Sequence, residues 1–174
     1  MYIKNVNQVA TKNGDKGISK DYSNKSYKKS DILFETLGSI DELNSFLGLC
    51  YHYTKCEDII LIQKKLQEIS AVIATNPESE LYHKIELLKI KDVEWIEARM
   101  QLALDNHPIE ARFTLPGSEK SLNGAYLDYA RTLARKAERR LNEFEEKHNR
   151  KDLDTIKSYI NRLSDFLYVL SCSL

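Results

Sequence analysis

Breakers are scarce in this chain: its 174 residues include 3 prolines and 6 glycines. That scarcity excludes a collagen-like or disordered polypeptide and argues against a turn-rich all-β domain. Cysteine is scarce too. Cys50, Cys56 and Cys172 are an odd number without CxxC spacing, so they read as reduced, largely buried thiols of a cytoplasmic protein rather than as a disulfide framework. No apolar run approaches 18 residues, which excludes a spanning helix, and no basic stretch leads into an apolar run of signal-peptide type. An excess of charge is also missing, since Lys+Arg and Asp+Glu are both 26. A wholesale nucleic-acid binder would carry a large basic surplus. What remains is one helical domain, long enough to bury roughly 70% of its unfolded surface without a metal or disulfide staple.

Charge is present but segregated. Residues 1–30 hold seven lysines against Asp15 and Asp21, a net of +5, while residues 31–130 carry −8 and residues 131–150 carry +3. Two basic segments far apart in sequence can converge on one anionic ligand, or can be two solvated surfaces that never meet.

Helical periodicity accounts for most of the chain. Residues 1–36 lack it and read as an ordered loop or arm rich in Asn, Ser, Gly and Lys. Ser39 and Glu42 have capping-box spacing, and Leu43, Phe46, Leu47 and Cys50 follow at helical intervals, predicting a first helix to about Tyr53. A second helix is expected from Glu57 to Ala74, ended by Asn76-Pro77, and a third from Asp92 to Asn106. The fourth and longest is expected from Ser121 to His148, and the fifth from Asp152 to Ser171. No strand pattern is convincing. The fold class is therefore all-α, a five-helix bundle with an irregular N-terminal segment: a single domain over 1–174, with 1–37 as the loop segment and 38–174 as the bundle.

The fourth helix carries two stripes. Leu122, Tyr126, Tyr129, Leu133, Ala137, Leu141 and Phe144 form one apolar face. Arg131, Arg135 and Glu138 fall at roughly 0°, 40° and −20° around the axis, opposite that face, with Arg139 beside them. Such a stripe is either an ordinary wet face or a fork of guanidiniums placed to grip phosphates. The stretch Thr11-Lys-Asn-Gly-Asp-Lys-Gly17 is the second candidate. Gly14 and Gly17 permit close approach of backbone N–H groups to an anion, and Lys12, Lys16, Ser19 and Lys20 add donors. It is not a Walker loop, and Asn13-Gly14 is also a common tight turn.

Taken together these segments resemble the PduO-type ATP:cob(I)alamin adenosyltransferases. TKNGDKG at Thr11–Gly17 matches the family's opening T-[RK]-[TN]-G-D-K-G, followed by Lys29-Ser-Asp31 and Gly38-Ser-Ile-Asp-Glu-Leu-Asn-Ser45. Phe113-Thr-Leu-Pro-Gly117, Ala130-Arg131-Thr-Leu-Ala-Arg135-Lys-Ala-Glu-Arg139 and Asn161-Arg-Leu-Ser-Asp-Phe-Leu167 match three later blocks in order.

The resemblance implies a ferritin-like, cobalamin-adenosyltransferase-like bundle assembling as a homotrimer with active sites between subunits. It implies transfer of the 5′-deoxyadenosyl group of ATP, with Mg²⁺, to cob(I)alamin. Carried over by position, ATP contacts are Thr11, Lys12, Asn13, Gly14, Asp15, Lys16, Gly17, Ser19, Lys20, Lys29, Arg135, Lys136, Glu138, Arg139 and Asn161. Arg135, Arg139 and Lys16 would stabilise the departing triphosphate. Phe113 would sit beneath the corrin and displace the lower axial ligand; read without the family, it is one more core aromatic. Asp41 and Arg131 would pair across the subunit interface near the cobalamin. No side-chain metal site is implied. A cob(II)alamin reductase and an adenosylcobalamin-dependent acceptor enzyme are the implied protein partners, with no nucleic acid and no membrane.

The sequence departs from the family's pattern in places. Lys136 replaces an arginine, Val72 stands where an Asp is expected, Asn76 is extra, and Gly117-Ser-Glu-Lys120 is longer than the usual Gly-Gly. The chain ends at Leu174, where many relatives continue with a tail over the corrin. Two other readings follow: a relative that binds ATP or cobalamin without turnover, and a di-metal bundle using Glu80-x-x-His83 and Glu145-x-x-His148.

Overall fold

The computed structural model describes residues 2–10, 12, 14–118 and 121–174. Five helices build the described part: α1 (Ile32–Thr54), α2 (Glu57–Ile73), α3 (Ile90–Asn106), α4 (Leu122–His148) and α5 (Asp154–Ser173). A short antiparallel hairpin precedes them, β1 (Ile18–Lys20) against β2 (Ser26–Lys28), with Ser19 opposite Tyr27. No helix among the described residues is long and apolar enough to cross a membrane.

Local chemistry sets the helix ends. Asp31 caps α1 by accepting from the Leu33 N–H, and Lys55 closes it in the left-handed region. Ser121 caps α4 by accepting from the Gly124 N–H at 3.0 Å, and Asn149, at φ 49°, stops it. Asp92 accepts from the Lys89 N–H at 2.8 Å at the start of α3. The acids Glu57 and Asp58 stand in the first turn of α2, where the helix dipole favours negative charge.

Helix α4 packs between α1 and α5; α2 lies on the outer side of α1 and α3 on that of α5. The ion pairs Arg99–Asp58 (2.7 Å) and Lys65–Asp92 (3.4 Å) tie α3 back to α2. One core runs through all five helices, including Leu43, Leu47, Ile62, Leu66, Ile96, Leu141, Tyr159 and Phe166. The buried Thr36 hydroxyl sits between the carbonyls of Ile32 (2.8 Å) and Arg140 (3.0 Å), at the crossing of α1 and α4.

Three expectations need correction. Helix α1 begins at Ile32, not Ser39, so the bundle starts before residue 38; Ser39 is internal and its hydroxyl donates to the Glu35 carbonyl at 2.8 Å. The N-terminal segment contains the hairpin, whose three-residue strands are too short to show an alternation. The apolar stripe of α4 is only partly core. Leu133, Ala137, Leu141 and Phe144 are buried, but Leu122 is 63% and Tyr129 52% exposed. The exposed end continues into an aromatic cluster in which Phe46 meets Tyr129 at 4.9 Å and Tyr53 meets Tyr126 at 5.0 Å.

Candidate functional site

The glycine segment folds as tight turns feeding the hairpin. The Gly17 N–H donates to the Gly14 carbonyl, Gly17 takes φ +73°, and the Lys29 N–H returns to the Gly17 carbonyl at 2.8 Å. Lys29 is thereby brought across the glycine turn, its ammonium lying over Gly14. Lys12, Asp15, Lys16 and Lys20 are exposed and Ser19 is half-buried. Lys12, Lys16, Lys20 and Lys29 have no carboxylate partner among the described residues, so four cations are left for an external anion. Thr11 and Asn13 lie outside the described residues.

The hairpin is docked at both ends. At its tip the Tyr22 N–H donates to the Ala74 carbonyl (2.7 Å) and the Asn76 N–H to the Ser23 hydroxyl (2.8 Å). The extra residue Asn76 thus supplies an anchor for the hairpin. At its base Tyr27 packs beside His148, whose Nε2–H donates to Asp31 at 2.8 Å. Burial raises the Asp31 pKa, but the Leu33 N–H and the bond and charge of His148 outweigh it, holding the carboxyl below its ordinary value.

A second cationic group stands on α4. Arg135 and Arg139 are exposed, without a carboxylate partner among the described residues. The other site residues expected on α4 are engaged within the chain. Arg131 bonds Asp128 at 2.7 Å, Glu138 accepts from Asn161 at 2.9 Å, and Lys136 pairs with Glu42 on α1 at 2.5 Å. Asp41 is exposed on α1.

Arg131 and Arg135 line a cleft of about 400 Å³ with Arg112, Phe113, Thr114, Ser164, Asp165 and Tyr168. Phe113 is fully exposed at its mouth, so the reading of it as a core aromatic is wrong. The cleft adds Ser164, Asp165 and Tyr168 to the sequence-expected site. Their signal was present, since with Asn161 they recur every three or four residues on one face of α5. Glu119 and Lys120, in the altered segment after Gly117, lie outside the described residues.

Within one chain the two cationic groups are carried by different elements, the hairpin segment and α4. The hairpin base contacts α4 at His148, thirteen residues beyond Arg135, which is roughly 20 Å along a helix. The di-metal reading finds no geometry: Glu145 bonds Lys157 and His148 bonds Asp31. Among the described residues no group of three or more His, Cys, Asp or Glu is placed to hold a metal ion.

The sequence profile of the family described as cobalamin adenosyltransferase matches residues 9–174. The corrinoid adenosyltransferase PduO of Citrobacter freundii is 32% identical over 167 residues, covering 94% of this chain and 48% of that protein. The corrinoid adenosyltransferase of Bacillus subtilis strain 168 is 32% identical over 172 residues, covering 92% of this chain and 83% of that protein. The chain therefore spans about half the length of the PduO relatives it matches. A phenylalanine-to-alanine variant of a PduO-type ATP:corrinoid adenosyltransferase from Lactobacillus reuteri, solved in complex with cobalamin and ATP, superposes with TM-score 0.84 at 25% identity. It covers 95% of this chain and 92% of that chain.

Proposed function

The chain belongs to the cobalamin adenosyltransferase family, and on that premise we propose that it transfers the 5′-deoxyadenosyl group of ATP to cob(I)alamin. The observation that carries this reading is the split site. Lys12, Lys16, Lys20 and Lys29, without a carboxylate partner among the described residues, flank a glycine turn whose hairpin meets α4 at His148. Arg135 and Arg139, likewise without one, stand thirteen and nine residues back along that helix, roughly 20 and 14 Å, and the exposed Phe113 shares a cleft with Arg135. Two half-sites of the same charge, borne on separate elements of one protomer, suit an active site closed by a neighbouring subunit. The aromatic cluster in which Tyr53 and Tyr129 are exposed and Phe46 and Tyr126 half-buried offers apolar surface for that contact. We take the assembly to be a homotrimer and residues 1–174 to be one domain.

The bound corrinoid supplies the nucleophile, so the protein needs no serine or cysteine for attack. The cobalt(I) electron pair forms the bond to C5′, the C5′–O bond breaks, and triphosphate leaves with the electron pair of that broken bond, giving adenosylcobalamin. The glycine turn with Lys12, Lys16, Ser19, Lys20 and Lys29 holds the phosphates, as do Thr11, Asn13 and Gly17 by position, and Asp15 belongs to the same ATP site as part of the turn. Arg135 and Arg139 of the neighbouring subunit neutralise charge on the leaving group. The Glu138–Asn161 pair orients the nucleoside, and Lys136, released from Glu42, is a further phosphate contact. Phe113 holds the lower face of the corrin free of its axial ligand, and Asp41 pairs with Arg131 across the interface. Mg²⁺ fits a site without a carboxylate cage, because the ion keeps waters and is held chiefly by substrate phosphates. The enzyme is cytoplasmic, receives cobalamin from a cob(II)alamin reductase, and hands its product to an adenosylcobalamin-dependent enzyme.

Anaerobic turnover with ATP and chemically reduced cobalamin tests the reading through the spectral change of cobalt–carbon bond formation. Product at a rate saturable in both substrates is expected. Intact ATP binding without product would replace it with a non-catalytic carrier or sensor. Light scattering should give three times the 20.2 kDa chain mass.

A further inference from the structure

We propose that His148 is a positioning residue for the nucleotide half-site, clasping Asp31 so that the glycine turn and Lys29 are held in their binding geometry. The inference rests on the ATP-binding reading above. His148 sits in the last turn of α4, its ring 4.7 Å from Phe144 and 5.8 Å from Tyr27. That packing fixes the ring plane, and the carboxylate, which can only accept, fixes the tautomer: Nε2–H donates to Asp31 Oδ1 at 2.8 Å.

Asp31 does not need this bond to begin α1, because the same oxygen already accepts the Leu33 N–H at 2.9 Å. What the bond adds is an anchor two residues from Lys29. The Asp31 N–H donates to the Lys28 carbonyl, the Lys29 N–H to the Gly17 carbonyl, and the Lys29 ammonium covers Gly14. Each link joins the next, from α4 to the glycine turn. Among the described residues the other hydrogen bonds from the hairpin to the bundle are at its tip, through Tyr22 and Ser23. Without His148 the lysine end would be held by the Asp31 cap and the chain's entry into α1 alone, with no bond to α4.

Two substitutions in the full chain separate packing from clasping. His148→Gln keeps a donor near the position of Nε2, while His148→Phe keeps the ring between Phe144 and Tyr27 but cannot donate. Isothermal titration with Mg·ATP and steady-state kinetics are the readouts. The Phe variant should bind ATP about tenfold more weakly, with KM for ATP rising in parallel and with kcat and the KM for corrinoid within about twofold; a charge-assisted bond is of that size. The Gln variant should stay within about threefold of wild type. Asp31→Ser, which preserves the cap but cannot reach His148, should match the Phe variant, and the double variant should be no worse than either single.

ATP affinity in the Phe variant equal to wild type would overturn the proposal, as would equal losses in Phe and Gln or additive losses in the double variant. Those results leave the nucleotide reading intact. Wild-type protein that fails to bind Mg·ATP overturns the nucleotide reading and this proposal with it.

Discussion

The Lys29 side chain occupies the space a β-carbon at position 14 would need: its Nζ and Cε lie 2.5 Å and 2.7 Å from that point. Gly14 is therefore required for close approach. The obstructing atoms are the far end of a flexible side chain, so Gly14→Ala should change stability by under about 1 kcal/mol. It should nevertheless displace the ammonium and weaken ATP binding by roughly tenfold, the loss of one charge-assisted contact. Paired calorimetry and ATP titration check this; a large loss of stability with unchanged affinity would make Gly14 a folding residue only.

Arg135 and Lys136 are adjacent in sequence and differ in engagement. Arg135 has no carboxylate partner among the described residues, whereas Lys136 is tied to Glu42 at 2.5 Å on an exposed surface. Arg135→Ala should cut turnover ten- to a hundredfold, the effect of losing about 1.5–3 kcal/mol at a charged contact, and leave the melting temperature unchanged. Lys136→Ala should have the smaller effect on turnover, because its ammonium must first leave Glu42 to reach a phosphate. Equal losses would mean that Lys136 is released in the assembled site at no cost.

How much of this was legible beforehand depended on which residues carried the pattern. Helices α2 and α4 were read to within a residue at each end, because Asn76-Pro77 and the Ser121 cap punctuate long stripes. Helix α1 was read seven residues short. Its first turns bury Thr36 and Ser39, whose hydroxyls bond carbonyls four residues back and so satisfy themselves inside a helix. An apolar period does not register such positions, and Ser39 with Glu42 mimicked a start. The apolar stripe of α4 extends to Tyr129 although that end is exposed, because periodicity defines a face and not what covers it. The ATP-side residues were identified by family blocks. The His148–Asp31 contact joins positions 117 residues apart, and no local pattern carries it.

Arg150 is a heavily engaged buried charge. Only 7% exposed, it donates to the Val72 and Thr75 carbonyls at the end of α2 and to both oxygens of Asp152. Arg150→Ala leaves those carbonyls and Asp152 without their partner and should cost about 3 kcal/mol or more. The Tyr82 hydroxyl completes the group, donating to Asp152 at 2.5 Å. Burial, then the bond to Asp152, pushes the Tyr82 pKa up to about 12. A raised pKa means that this contribution is fully present below about pH 10, the ordinary tyrosine value, and is lost as pH rises through the folded value. Urea unfolding of wild type and Tyr82→Phe should therefore converge between pH 10 and 12. A constant difference would detach Tyr82 from the alkaline transition.

Phe113 separates structure from chemistry most sharply. A core phenylalanine costs about 3–5 kcal/mol when cut to alanine. Phe113 is fully exposed at the mouth of the cleft that Arg131 and Arg135 line, so Phe113→Ala should leave the melting temperature within a degree or two. Its effect should fall on the corrinoid. If the ring keeps the lower axial ligand away, the variant will bind cob(II)alamin in the presence of ATP as a five-coordinate species, which resists reduction because axial ligation tunes the potential of a metal. Two assays divide the outcomes. Supplied with cobalamin already reduced to cob(I), the variant should recover much of the wild-type rate; supplied with cob(II)alamin and a biological reductant, it should stay slow. Electron paramagnetic resonance of the ATP-bound complexes reads the ligand count directly. Five-coordinate cob(II)alamin in both wild type and variant would remove Phe113 from the ligand-displacing role and leave its exposed ring as a subunit contact.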